Sequence, residues 1–429
     1  MPNPFLSANN MVAPTPPPDP QPLCGRVTDD VTSRPRESEN IQLTLQNTRS
    51  FSTKDRLSTM FGLYRSYAVR RITPVLTAGA LMAIAVAGYS GRAQLAAIHD
   101  PRESHLANAR QLTFGGENAE AYFSHDGLRL TFQSQRDGHE CDQQYVMGID
   151  GANAHRISTG TGRTTCGWWM KGDRRILFSS THGADPNCPP KPDYSKGYVW
   201  PVYPTYSIYT VKPDGSDLRP LFPKSLRAGE QSGYNAESVV SPDGGKIVFT
   251  SDRGGDLDIW VMNSDGSHAR QLTHTLGYDG GPWWSPDGKK ICYRAYHPET
   301  PEEIADYKAL LKQHLIRPTT LDLYIMDADG SHGRQVTHDK KSNIASFAPS
   351  WTPDGGGLVF ASNRDDPQRR KFEVYRINTD GTGLERITYG DQFDGFPTFS
   401  PDGKHFVWAS NRNGKQPHET NLFIADWIP

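Results

Sequence analysis

Residues 235–273 read NAESVVSPDGGKIVFTSDRGGDLDIWVMNSDGSHARQLT, and each part has a separate physical meaning. Glu237 to Val240 is a short run with apolar flanks. Pro242-Asp243-Gly244 is a tight turn: Pro presets φ, Asp bonds its own backbone, and Gly accepts positive φ. Lys246 to Thr250 carries Ile247, Val248 and Phe249, the β-branched and aromatic content of a buried strand. Asp252 to Asp256 is a polar loop, and Asp258 to Met262 is a third strand. Asp265-Gly266 is a second turn, and Arg270 to Thr273 is a fourth, edge-like strand. The stretch predicts one four-stranded antiparallel meander.

The frame recurs. First turns stand at His125-Asp126-Gly127, Lys171-Gly172-Asp173, Pro242-Asp243-Gly244, Pro286-Asp287-Gly288, Pro353-Asp354-Gly355 and Pro401-Asp402-Gly403. Second turns stand at Asp150-Gly151, Asp214-Gly215, Asp265-Gly266, Asp329-Gly330 and Asp380-Gly381. Backbone geometry dictates these aspartates; they are not read as catalytic acids. A four-strand unit with a period of roughly 40–45 residues marks a β-propeller. The last copy ends with Asn421 to Trp427 as its third strand and lacks a fourth. Ala109-Arg110-Gln111-Leu112-Thr113, ahead of the first copy, matches Arg270 to Thr273. The predicted fold is all-β: a six-bladed β-propeller of four-stranded antiparallel blades over residues 98–429. An N-terminal strand closes it by supplying the missing edge of the last blade.

SPDGKKI, SPDGGKIVFTSDR and IWVMNSDGSHARQLT resemble the PD40 repeats of the TolB-like propellers, in register over about three-quarters of the chain. The resemblance implies a binding scaffold outside the cytoplasm. TolB itself has a separate α/β domain and a TolA-engaging motif ahead of its propeller. Here only a short segment separates an apolar stretch from the first strand, so that domain is not expected. The alternative is an oligogalacturonate-lyase-like propeller, a family with related repeats and a metal held by histidines at the channel. No histidine occupies an aligned rim position, and His182, His297 and His314 are read as lying in insertions.

A net charge of −2 implies neither a nucleic acid nor an anionic membrane surface as partner. Residues 1–59, with the Pro-rich run Pro14 to Pro22, read as a disordered extension. Residues 60–97 read as a signal peptide or membrane anchor. There Arg65, Arg70 and Arg71 precede the uncharged run Ile72 to Ser90, with small residues at its end. Either form places the propeller outside the cytoplasm. Cys141, Cys166 and Cys188 fall on one face of the predicted propeller, where an oxidising compartment favours a disulfide, and the expected pair is Cys141–Cys166. Cys292 lies in a strand and reads as a buried thiol.

Two insertions land on that same face. One spans residues 181–206 and is rich in Pro and Tyr; the other contains a predicted short helix within Pro301 to Leu315. Tyr194, Tyr198, Trp200 and Tyr203 are the expected aromatic anchors for a partner, with Glu120, Glu237, Asp279 and Asp394 as a polar centre at the channel mouth. Four carboxylates around one axis suit a hard cation such as calcium; no other cofactor is expected. The sequence holds no G-x-S-x-G elbow, H-E-x-x-H or phosphate loop. The expected protein is a monomeric, non-catalytic scaffold that binds an envelope protein, a peptide or a glycan.

Overall fold

The turns fold as they do for reasons visible in their own hydrogen bonds. Ser241 Oγ donates to Asp243 Oδ1 at 2.6 Å, the same oxygen accepts Gly245 N–H at 2.9 Å, and Gly244 takes φ +77°. Ser285, Thr352 and Ser400 donate to Asp287, Asp354 and Asp402 in the same way, each at 2.6 Å. The fourth-strand sequence is explained likewise. The hydroxyl of Thr273 accepts the Ile259 N–H at 2.9 Å. Thr337, Thr388 and Thr113 do the same for Leu323, Val374 and Leu422.

The computed structural model describes Ile98 and residues 100–222, 233–390 and 393–429. The readings of residues 1–59 and of the apolar run in 60–97 lie outside the described residues. Among the described residues no helix is long and apolar enough to cross a membrane.

Six four-stranded antiparallel sheets form the six blades. The first strands are Glu117–Phe123, Thr164–Trp169, Asn235–Val240, Tyr278–Trp284, Ser346–Trp351 and Asp394–Phe399. Blade 6 consists of Asp394–Phe399, His405–Ser410, Asn421–Trp427 and the N-terminal strand Leu106–Gln111. Leu106 stands opposite Trp427 and Gln111 opposite Phe423, so the ring closes with the strand that the sequence match indicates. Apolar side chains of adjacent blades interlock. Val239, Val248 and Ile259 pack on Trp284 and Ile291 between blades 3 and 4. Leu323 and Ile325 pack on Trp351, Leu358 and Phe360 between blades 4 and 5. Burying each such side chain stabilises the fold by about 1.5–3 kcal/mol.

Every first strand carries a β-bulge near its middle. The residue at each bulge has positive φ: Glu120 55°, Cys166 54°, Glu237 59°, Gly281 59°, Ala348 49° and Phe396 54°. A bulge bends its strand and re-aims the side chain; here all six residues line one central chamber.

The insertions fold onto the channel. The helix is Pro301–Leu311, capped by a Thr300/Glu303 capping box, with Tyr307 and Leu310 buried. Beyond it Leu315–Ile316 pairs with Trp200–Pro201 of the other insertion. The disulfide differs from expectation: Cys141 bonds Cys188, with Cα atoms 6.0 Å apart, and Cys166 is a free thiol. The reason is the blade 2 bulge. It turns Cys166 into the central chamber, where its backbone N–H donates to Glu120 Oε2 at 3.1 Å. Cys188, on the insertion, folds back to meet Cys141 instead.

Candidate functional site

Because side chains alternate along a strand, the six first strands build rings down the central axis. The ring beside the insertions holds Asn118, Thr164, Asn235, Asp279, Ser346 and Asp394, all buried. Next come the bulge residues. Two positions further stand Tyr122, Trp168, Val239, Trp283, Ser350 and Thr398, which line the mouth on the turn face. Indole N–H groups tie the blades together just below. Trp169 donates to Tyr122 O at 3.1 Å, Trp284 to Val239 O at 3.2 Å and Trp351 to Trp283 O at 3.0 Å.

The bulge ring encloses a chamber of about 40 Å³. Glu237 is paired with Arg294, whose guanidinium also donates to Tyr278 OH at 2.7 Å. Glu237 Oε2 further accepts Thr250 Oγ1 at 2.7 Å and Gly281 N–H at 2.9 Å. Burial is the largest influence and opposes the Arg294 charge, but Glu237 together with Tyr278, Tyr234 and Cys166 outweighs it and raises the pKa. Glu120 faces the same chamber, where burial raises its pKa and a hydrogen bond with the Cys166 side chain partly offsets the rise. The Cys166 thiol is pushed well up by burial, then by Glu120 and Glu237, which makes it a poor nucleophile.

Asp279 and Asp394 do not join these two carboxylates. Asp279 Oδ1 lies 2.9 Å from His297 Nε2, and Asp394 Oδ2 accepts Arg412 at 2.6 Å. Burial raises the Asp279 pKa against the pull of His297. The set read from sequence is thus split between the chamber and two blade junctions, with cationic or imidazole partners beside Glu237, Asp279 and Asp394. These four residues do not form a cage for a hard cation. Among the described residues no group of three or more His, Cys, Asp or Glu stands where it could hold a metal ion.

The aromatic anchors separate in the same manner. Trp200 is only 2 % exposed. Its ring meets Tyr278 and Phe347 edge-on and lies 5.3 Å from the Arg294 guanidinium. It packs over Arg294, a residue of the chamber wall, from the insertion side. Tyr198 and Tyr203 are half-buried against the same core, and Tyr203 OH donates to Pro190 O at 2.7 Å. Tyr194 is exposed. The insertions therefore act as a lid, and three of the four rings lean inward.

The opposite end is open. A cavity of about 280 Å³ lies on the turn face, walled by Pro242, Pro286, Pro353 and Pro401. Its floor is a cluster of Tyr122, Trp168 and Trp283, with ring centroids 4.6–5.4 Å apart. These residues were not among the expected site residues, although strand alternation places them two positions beyond the bulge residues Glu120, Cys166 and Gly281.

The TolB β-propeller domain family, PD40, matches residues 224–302 and 308–423. These segments are TolB-like PD40 propeller sequence. A Tol-Pal system protein TolB of Anaeromyxobacter dehalogenans is 50% identical over 46 residues, 11% of each chain. An uncharacterised protein of Agrobacterium fabrum is 30% identical over 177 residues, 40% of this chain and 50% of its own. The matched region thus spans half or less of these relatives. The solved structure of a putative TolB from Agrobacterium tumefaciens is 19% identical, covering 73% of this chain and 90% of that one at a TM-score of 0.44. In this TolB-like propeller the long loops gather on the lid face, while the repeated turns frame the mouth.

Proposed function

We propose that this TolB-like propeller is a non-catalytic binding scaffold that works outside the cytoplasm. It captures an apolar segment of a protein or peptide at the aromatic mouth. The observation that carries this reading is the asymmetry of the channel: Trp200 covers one end, and rigid turns hold the other open over Tyr122, Trp168 and Trp283. Concave, mostly apolar openings with aromatic walls are the usual form of a binding site. The Cys141–Cys188 disulfide suits an oxidising compartment, as do the positively flanked apolar run and the similarity to TolB.

The test uses the purified full chain on an array of unrelated extended peptides. Bound peptides should be enriched in apolar and aromatic residues. Trp283→Ala should abolish capture with the melting transition retained, and Tyr194→Ala should not. If Tyr194→Ala abolishes capture and Trp283→Ala spares it, docking is on the lid face. Turnover of uronate oligomers by the same preparation would replace the scaffold reading with a lyase.

A further inference from the structure

Three blades end their second strands with the same device. Ser251-Asp252-Arg253, Ser362-Asn363-Arg364 and Ser410-Asn411-Arg412 each fold the guanidinium back, so that Nε donates to the preceding serine at 3.1, 3.2 and 3.1 Å. Nη2 then reaches the uppermost channel ring of the same blade: Asn235 at 2.6 Å, Ser346 at 3.3 Å and Asp394 at 2.6 Å. These are permanent charges. Blade 4 places Ala295-Tyr296-His297 at the equivalent point, and His297 Nε2 meets Asp279 Oδ1 at 2.9 Å. A titratable imidazole thus stands where blades 3, 5 and 6 place a guanidinium.

The surroundings of His297 are acidic. Asp279 is 1 % exposed, and its Oδ2 has no hydrogen-bond partner among the described residues. Asp258, from blade 3, is 2 % exposed and accepts Thr273 and Gln271 side chains. Asp256, on the same blade, accepts Gly277 N–H at 2.9 Å and the Tyr307 hydroxyl. Lys340 donates to His297 O at 2.9 Å and to Glu303 at 3.1 Å, and it also pairs with Glu299. Tyr324 contacts the imidazole edge-on at 5.3 Å, and Tyr293 stacks on Tyr324.

Tyr307 is what joins this cluster to the lid. It lies on Pro301–Leu311, which leads to Leu315–Ile316 and, across the strand pair, to Trp200 above the chamber. We propose that the junction of blades 3 and 4 is a proton-dependent clasp that holds the lid over the channel when protonated and releases it when deprotonated. With protons bound, Asp258 and Asp279 are neutral and the cluster carries little charge. As they leave, Asp256, Asp258 and Asp279 repel one another with no guanidinium at the blade 4 position. The junction then spreads at the point where Tyr307 is anchored. Burial, and then the Asp279 charge, push Asp258 up to about 7. Closure is therefore fully favoured below the ordinary carboxylate range and is lost progressively as pH rises from there to about 7.

The experiment is amide hydrogen exchange of residues 301–316 in the full chain at pH 5.5 and 8.5, corrected for the intrinsic pH dependence of exchange. Corrected opening should rise at least tenfold at the higher pH. His297→Arg and Asp258→Asn should each keep the segment protected at pH 8.5. Glu373→Gln, at the blade 5–6 junction, should leave the response intact. Opening that does not change with pH in the unmodified chain overturns the proposal, as does a full response in His297→Arg. If His297→Arg fails to fold, Asp258→Asn decides by the same readout.

Discussion

Replacing Arg294 by Met keeps most of the side-chain volume but removes the cation that faces Glu237 in the chamber. Glu237 keeps its bonds from Thr250 and Gly281, yet its charge is left buried and uncompensated. Breaking a buried pair in this way costs about 3–5 kcal/mol. Proton uptake sets the ceiling. A glutamate carboxyl has a solution pKa of about 4.3, so neutralising it at pH 7 costs about 3.7 kcal/mol, and at pH 5.5 about 1.6 kcal/mol. The variant should therefore lose about 3–4 kcal/mol at pH 7 and recover about 2 kcal/mol of that at pH 5.5. Adding Glu237→Gln should restore most of the loss at pH 7, because a neutral amide needs no counter-charge. Urea unfolding followed by tryptophan fluorescence at the two pH values measures all of these. A loss below about 1 kcal/mol at pH 7, or one independent of pH, would refute the assignment of Arg294 as the counter-ion that Glu237 requires.

Other parts of the ring can be tested as directly. Cys188→Ser should cost about 2–4 kcal/mol, since the disulfide closes a sequence separation of 47; Cys166→Ser should stay within about 1 kcal/mol, both read by urea unfolding. Ala348→Gly should stabilise by about 0.5–1 kcal/mol, because the bulge holds Ala348 at φ 49°, where a Cβ is strained. Deleting residues 107–114 should leave Asn421–Trp427 as an open edge and cause aggregation in sedimentation runs. Burial and the Asp394 charge hold the Glu373 carboxyl up at about 8. Its folded form binds a proton more tightly than the unfolded chain, so stability should fall as pH rises from about 4 to 8; Glu373→Gln should flatten that slope in denaturant titrations.

The repeat was legible because each turn needs particular residues. Pro, Asp and Gly at 242–244 answer three backbone demands at once, and the Thr of each fourth strand answers a fourth. Ring closure could be read from one matched segment, and the helix from Pro301, Glu303 and its apolar spacing. Other features had no local signal. Nothing in the sequence around Glu120 or Phe396 announces a bulge, since five of the six residues there are not glycine. The disulfide partner depends on where a Pro-rich insertion folds back, which is a tertiary outcome. Aromatic content in residues 194–203 does not say which way a ring points, and Trp200 points in. The arginine device was readable from Ser251-x-Arg253, Ser362-x-Arg364 and Ser410-x-Arg412, with His297, the first residue beyond Lys290–Tyr296, and His182 at the same position on blades 4 and 2.

The pairing of Leu106–Gln111 with Asn421–Trp427 also governs when the protein can be finished. Asn108 donates to Asp426 across 318 residues. No blade order of folding avoids this wait: five complete blades still form an arc with exposed flanks. Non-local pairings of this kind are slow to form and leave unpaired strands exposed meanwhile. The arc gains its last partner only after the chain has been made as far as residue 427. A chain interrupted anywhere before that point does not yield a smaller propeller. It yields an incomplete circle with two adhesive ends, which is a substrate for proteolysis or for joining to another such circle.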